Sequence, residues 1–143
     1  MSPYRTLNPA TGQTEKVFEL HTTQAMIEKL EQAHGFWQNT WRGQSIAERR
    51  VLLNRAAEIL RANKEKHARL ISVEMGKVLA EAIGEVELSA DILSYYANKA
   101  EVFLAPRELP VAQGRARVVN QPLGVLYCVE PWNFPYYQLA RVA

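Results

Sequence analysis

In the segment Glu130-Pro131-Trp132-Asn133-Phe134-Pro135 a carboxyl group, an indole, a carboxamide and a phenyl ring stand together on a short stretch of chain. Two prolines fix φ around an indole, a carboxamide and a phenyl ring, so these groups are carried on stiff backbone. The segment follows a continuous apolar run, Val125-Leu126-Tyr127-Cys128-Val129, which reads as a strand covered on both faces, as in a parallel sheet. Open α/β sheets place ligands at the carboxyl ends of their strands, where a loop of this kind would stand. Prolines and aromatics also build ordinary corners, so these residues by themselves fit a structural turn as well as a functional loop. Asn133 has the same two readings, since a turn asparagine can simply cap the next helix. Arg141 stands eight positions after Asn133. That is about two turns along a helix starting near Pro135, a spacing that lets both residues lie on one side. The plainer reading is a surface arginine on an amphipathic helix.

The other chemically notable residues are less promising. Cys128 is the single cysteine, which excludes an internal disulfide. Inside an apolar run thiolate formation is disfavoured and the sulfur behaves as a small hydrophobe, so Cys128 reads as structural. Glu130 is not made a general base by proximity alone. His21, His34 and His67 are too scattered in sequence to suggest a local metal site.

The elements that must position the loop are mostly helical. Asn8-Pro9-Ala10-Thr11-Gly12 is a turn signal between strand-like flanks, hence an opening hairpin. After Thr22 and Thr23, either of which could cap a helix, Met26, Ile27, Leu30, Ala33 and Trp37 recur at helical spacing and should face a core. Ser45-Ile46-Ala47-Glu48 fits a capping box, followed by an apolar face of Leu52, Leu53, Ala56, Ile59 and Leu60. A further helix runs from about Lys64 to Met75 and meets Gly76, a C-cap residue. A long one spans Val78 to Leu104, with Leu79, Ala82, Val86, Ala90, Leu93, Ala97 and Ala100 as its stripe; Gly84 inside it allows close packing or a break. After Pro106 and Pro110 the segment Arg115–Gln121 partly alternates, as an edge strand does.

Size and charge set the outer limits. At 143 residues, with 48% hydrophobic and 22% charged, the chain has the composition of a folded domain. A formal charge of +2 is far from the basic balance of a nucleic-acid binder. The segment from Met1 to Leu7 has no leader pattern, and no long apolar run suggests a membrane span. A reducing cytoplasm is compatible with the one thiol.

Taken together, these motifs resemble the aldehyde dehydrogenase superfamily. Pro131-Trp132-Asn133-Phe134-Pro135 is similar to that family's motif at this location. Asn8-Pro9-Ala10-Thr11-Gly12 resembles its opening turn, Glu74-Met75-Gly76-Lys77 its helix-end signature, and Pro122-Leu123-Gly124-Val125 its lead into the first cofactor-domain strand. The resemblance covers nearly the whole chain and implies an α/β fold with helices around a Rossmann-like cofactor-binding sheet. Residues 1–103 would be the helical part of the NAD(P)-binding domain, 104–122 an oligomerisation β-ribbon, and 123–143 the first strand and helix start of that domain. The catalytic domain would be absent.

The same resemblance implies roles. Glu130, Pro131 and Trp132 would lie along the nicotinamide side of NAD or NADP. The Asn133 carboxamide would donate to the oxyanion formed when a thiolate adds to an aldehyde. Phe134 would line the apolar substrate channel, with Tyr136 and Tyr137 as weaker candidates for the same entrance. Succinate-semialdehyde dehydrogenases are similar in having an arginine at Arg141, where a guanidinium fork matches the substrate's distal carboxylate. The Tyr136–Arg141 context also resembles that subgroup. The expected reaction is oxidation of succinate semialdehyde by a dimeric or tetrameric enzyme, with no nucleic acid or membrane as partner. Its alternatives are a relative using an uncharged aldehyde and a shortened, inactive binding module. The family's nucleophilic cysteine, glutamate base and dinucleotide-holding lysine and glycine turn would all lie beyond Ala143. The ending inside a nascent helix leads to the expectation of a longer protein.

Overall fold

The computed structural model describes residues 4–143; residues 1–3, on which part of the N-terminal reading rests, lie outside the described residues. Strands β1 (Arg5–Leu7) and β2 (Thr14–Val17) form an antiparallel hairpin pairing Arg5 with Val17 and Thr6 with Lys16. Asn8 closes it. Its carbonyl oxygen accepts the Gly12 N–H at 2.8 Å, and its side-chain oxygen accepts the Ala10 N–H at 3.0 Å.

Helix α1 (Thr23–Asn39) starts at Thr22, whose hydroxyl accepts the Ala25 N–H. The expected inward stripe is not buried: Met26, Ile27 and Leu30 are exposed. Only Trp37 is half-buried, where its indole meets Gly124. The periodicity predicts an apolar face correctly, but the described residues supply no body to cover most of it.

The packed part consists of α2 (Ile46–Ala62), α3 (Lys64–Met75), α4 (Leu79–Phe103) and α5 (Pro135–Val142). The capping box at Ser45 and Glu48 is formed in full. Ala57, Ala90, Leu93 and Ala140 make one buried cluster, and Ala68, Ile71, Ala82 and Val86 make another. Alanines at these contacts let helix axes approach closely, which is how so short an element as α5 is seated against α4. On α2 the buried side centres on Ala57, flanked by Leu53, Ala56 and Leu60, while Leu52 and Ile59 stay exposed. Gly84 neither breaks α4 nor has a neighbour within 4 Å where a Cβ would stand.

Beyond α4, β3 (Arg107–Leu109) and β4 (Ala116–Val118) form an exposed antiparallel ribbon, shorter than the alternation from Arg115 to Gln121 suggests. The expected strand at Val125–Val129 is not formed. The run lies outside the sheets of the described residues, with Tyr127 at 94% and Val129 at 79% exposure, and Cys128 is exposed with them. A strand covered on both faces needs neighbours for its backbone groups. The two sheets among the described residues are two-stranded ribbons elsewhere in the chain, so the Rossmann-like sheet is not among the described elements.

Candidate functional site

The corner between α3 and α4 determines how the Pro131–Pro135 loop is held. Gly76 ends α3 at φ +78°, a left-handed conformation that glycine adopts without a Cβ penalty. Its Cα lies against the opening turn so closely that a Cβ would come 3.0 Å from Pro9 Cγ. The reversal turns Lys77 inward, where its side chain is 8% exposed.

Lys77 Nζ donates to Glu85 Oε2 on α4 and to the backbone oxygen of Asn133 at 2.8 Å. The same ammonium sits 3.7 Å from the centre of the Phe134 ring, a cation–π contact. The other Glu85 oxygen, Oε1, accepts the backbone N–H groups of Tyr136 at 2.9 Å and Tyr137 at 3.3 Å. These are orphan donors of α5, which has no side-chain cap of its own and begins with proline. A carboxylate borrowed from α4 therefore does the work of an N-cap, at the end of the helix that favours negative charge.

The sequence-predicted residues fall around this clamp. Glu130, Pro131 and Trp132 are exposed, with Trp132 turning into a groove of about 490 Å³ lined also by Leu70, Glu74, Pro135 and Tyr136. Asn133 does not cap α5; Phe134 occupies that position, and the Asn133 carboxamide is exposed while its carbonyl is held by Lys77. Phe134 packs edge-on against Tyr137, with ring centres 6.0 Å apart.

The two tyrosines expected to share an entrance diverge. Tyr136 turns toward α3, where its hydroxyl pairs with His67 Nδ1 at 2.8 Å. Burial, followed by the charges of Glu74 and Glu85, raises its hydroxyl above the usual range, so the phenol remains neutral. Tyr137 faces a second groove, of about 600 Å³, together with Arg141, Leu53, Ile92 and Tyr96. The Arg141 guanidinium lies 5.5 Å from the Tyr137 ring centre and reaches its hydroxyl at 3.4 Å.

Lys77 and Glu85 are the site residues that sequence reasoning missed. A signal was present: Glu85 and Ser89 interrupt the buried stripe Ala82, Val86, Ala90, Leu93. A charge in such a position requires a partner, and Lys77 stands immediately after the helix-ending glycine.

A structure of Gox0499, studied for its cofactor and substrate selection, superposes with a TM-score of 0.96 at 52% identity over 99% of this chain and 31% of that one. The succinic semialdehyde dehydrogenase from Streptococcus pyogenes, solved with NADP+, gives 0.92 at 42% identity over 97% and 30%. An NADP+-type succinate-semialdehyde dehydrogenase of Deinococcus radiodurans is 44% identical over 99% of this chain and 29% of its own length. The sequence pattern of the aldehyde dehydrogenase family matches residues 2–143. The chain belongs to the aldehyde dehydrogenase family, with the fold of the N-terminal part of its members, and it spans about 30% of the length of these relatives.

Proposed function

We propose that this chain serves as the N-terminal part of a longer NADP- or NAD-dependent enzyme that oxidises succinate semialdehyde, or a close relative with a terminal carboxylate, to the acid. The observation that carries the reading is the exposed Asn133 carboxamide on a loop whose backbone is tied down on both sides. A preorganised donor of this kind stabilises charge that develops on an aldehyde oxygen after nucleophilic attack. Phe134, 44% exposed, lends an apolar surface beside it, and Arg141 offers a guanidinium for the far carboxylate. The relatives named for succinate semialdehyde support the substrate, and their NADP+ supports that form of the cofactor.

The donor set from Leu123 to Phe134 suits one part of a dinucleotide. It has carbonyls, amides, an indole and a carboxamide but neither lysine nor arginine. Such a set, with Glu130 as its one acidic side chain, fits the cationic, amide-bearing nicotinamide of the oxidised dinucleotide and not the phosphates. Glu130, Pro131 and Trp132 would border that ring. When bound, the dinucleotide supplies the hydride acceptor. The protein's own part here is to orient the aldehyde and hold its oxygen. We assign the nucleophile and base to the portion of the enzyme beyond this chain.

We propose that the exposed ribbon of β3 and β4 joins subunits of a dimer or tetramer, since short exposed strand edges are natural pairing surfaces. No helix of the described residues is long and apolar enough to cross a membrane; we assign the enzyme to the cytoplasm, where Cys128 and the nucleophilic cysteine that this reaction requires stay reduced.

The test is steady-state kinetics of the full-length protein with succinate semialdehyde and butyraldehyde, each with NADP and NAD. Preferred turnover of succinate semialdehyde is expected. Equal use of both aldehydes removes the assigned substrate, and turnover of neither removes the activity.

A further inference from the structure

We infer that Lys77 and Glu85 are positioning residues for the Asn133 donor: the buried pair fixes the loop on both sides, so that the carboxamide is carried on backbone held in one place. The catalytic consequence rests on the reading of Asn133 proposed above; the positioning itself rests on hydrogen bonds. Lys77 holds the Asn133 carbonyl at 2.8 Å, and Glu85 holds the amides of Tyr136 and Tyr137. Only Phe134 and Pro135 lie between these attachments, and Phe134 is itself covered by the Lys77 ammonium. The peptide that carries the donor is thus connected through one ion pair to the corner made by Gly76 and to the long helix α4.

The chemistry of the pair favours positioning over simple stabilisation. A buried ion pair is often no more stabilising than apolar residues of similar volume, because both charges lose their hydration. An apolar contact could seat α5 on α4, as Ala140 already does. It could not grip a carbonyl on one side of Phe134 and two amides on the other. Directional bonds from a fixed charge do that, and misplacing a catalytic group by about 1 Å can cost on the order of a hundredfold in rate.

The experiment uses the full-length protein carrying Lys77→Met together with Glu85→Gln. This combination leaves no uncompensated buried charge and keeps an oxygen at residue 85 for the α5 amides. Turnover of succinate semialdehyde should fall on the order of tenfold to a hundredfold, with the KM for the dinucleotide unchanged. Adding Asn133→Ala should make the variant no slower than Asn133→Ala alone, because all three changes disable one device. Unchanged turnover, or losses that multiply independently, overturns the inference. Lys77→Arg keeps the charge and should show the same coupling on a smaller scale, which covers failure of the double variant to fold. If the unmutated protein oxidises no aldehyde, the functional reading falls, and amide hydrogen exchange decides the positioning. The Tyr136 and Tyr137 amides should then exchange faster in Lys77→Met with Glu85→Leu, which removes their acceptor, while the amides of α4 are unaffected. Unaltered exchange at those amides overturns it.

Discussion

At Asn133 the backbone and the side chain have separate duties. Its carbonyl is committed to Lys77 while its carboxamide faces solvent, so truncating the side chain should leave the clamp in place. In the full-length enzyme Asn133→Ala is expected to lower kcat by about a hundredfold to a thousandfold, the cost of a lost oxyanion donor. The KM for the aldehyde should change much less, because the bond strengthens as charge develops. Steady-state rates check this, and a raised KM with intact kcat would make Asn133 a ground-state contact. Arg141 leads to a different expectation. The Tyr137 hydroxyl accepts one N–H of the Arg141 guanidinium at 3.4 Å, leaving further N–H donors to meet a carboxylate. Arg141→Ala should reduce the preference for succinate semialdehyde over butyraldehyde by on the order of tenfold to a hundredfold, the value of a charge-assisted hydrogen bond of about 1.5–3 kcal/mol. Lysine should restore only part of it, keeping charge but not the two-pronged geometry. Equal losses on both aldehydes would indicate damage to α5 instead.

Helix ends show why some elements were legible in the sequence and others were not. The Ser45 capping box, the Thr22 cap and the Gly76 terminus are local chemistry, written in residues three or four apart, and all three stand in the structure as the sequence suggests. The N-terminus of α5 is different. Pro135 signals its start, but its cap arrives from Glu85, fifty-one positions before Tyr136, and no local pattern encodes that meeting. The same distinction explains Val125–Val129, whose composition specifies a strand while its formation depends on partners elsewhere. Gly76 joins the local to the distant, since its left-handed turn both ends α3 and aims Lys77. Gly76→Ala should therefore destabilise the protein by about 1–2 kcal/mol through the left-handed backbone alone. The displacement of Pro9 should add to that, because the new Cβ would lie 3.0 Å from its ring. Urea unfolding of the full-length protein measures the loss. A midpoint within error of the unmutated protein would mean that the corner relaxes freely.

For the molecule as a whole, surface area is the informative quantity. A compact monomer of 16.3 kDa is expected to expose about 7,500 Å², whereas this chain exposes 11133 Å². The excess is about 3,600 Å², comparable to a large obligate interface. Its character is apolar: Met26, Ile27 and Leu30 on α1 are exposed, as are Leu123, Leu126, Tyr127 and Val129 on the extended run. Such a surface associates with whatever apolar surface is near, and the unpaired backbone of Val125–Val129 adds a template for strand pairing. Residues 1–143 purified alone are therefore expected to sediment as a concentration-dependent mixture of oligomers and to bind an apolar dye. They should also reduce no NADP with succinate semialdehyde. If the extended run seeds the association, Tyr127→Lys with Val129→Lys should shift the mixture toward monomer, because charges on an open strand oppose edge-to-edge pairing. The same two lysines in the full-length enzyme should be strongly destabilising, since there the run is expected to lie within a sheet and the ammonium groups would be buried without partners. Opposite effects of one substitution pair in the two settings would identify the run as a strand awaiting its neighbours. A monodisperse, cooperatively melting monomer of residues 1–143 would instead mean that the helices close over their own apolar surface.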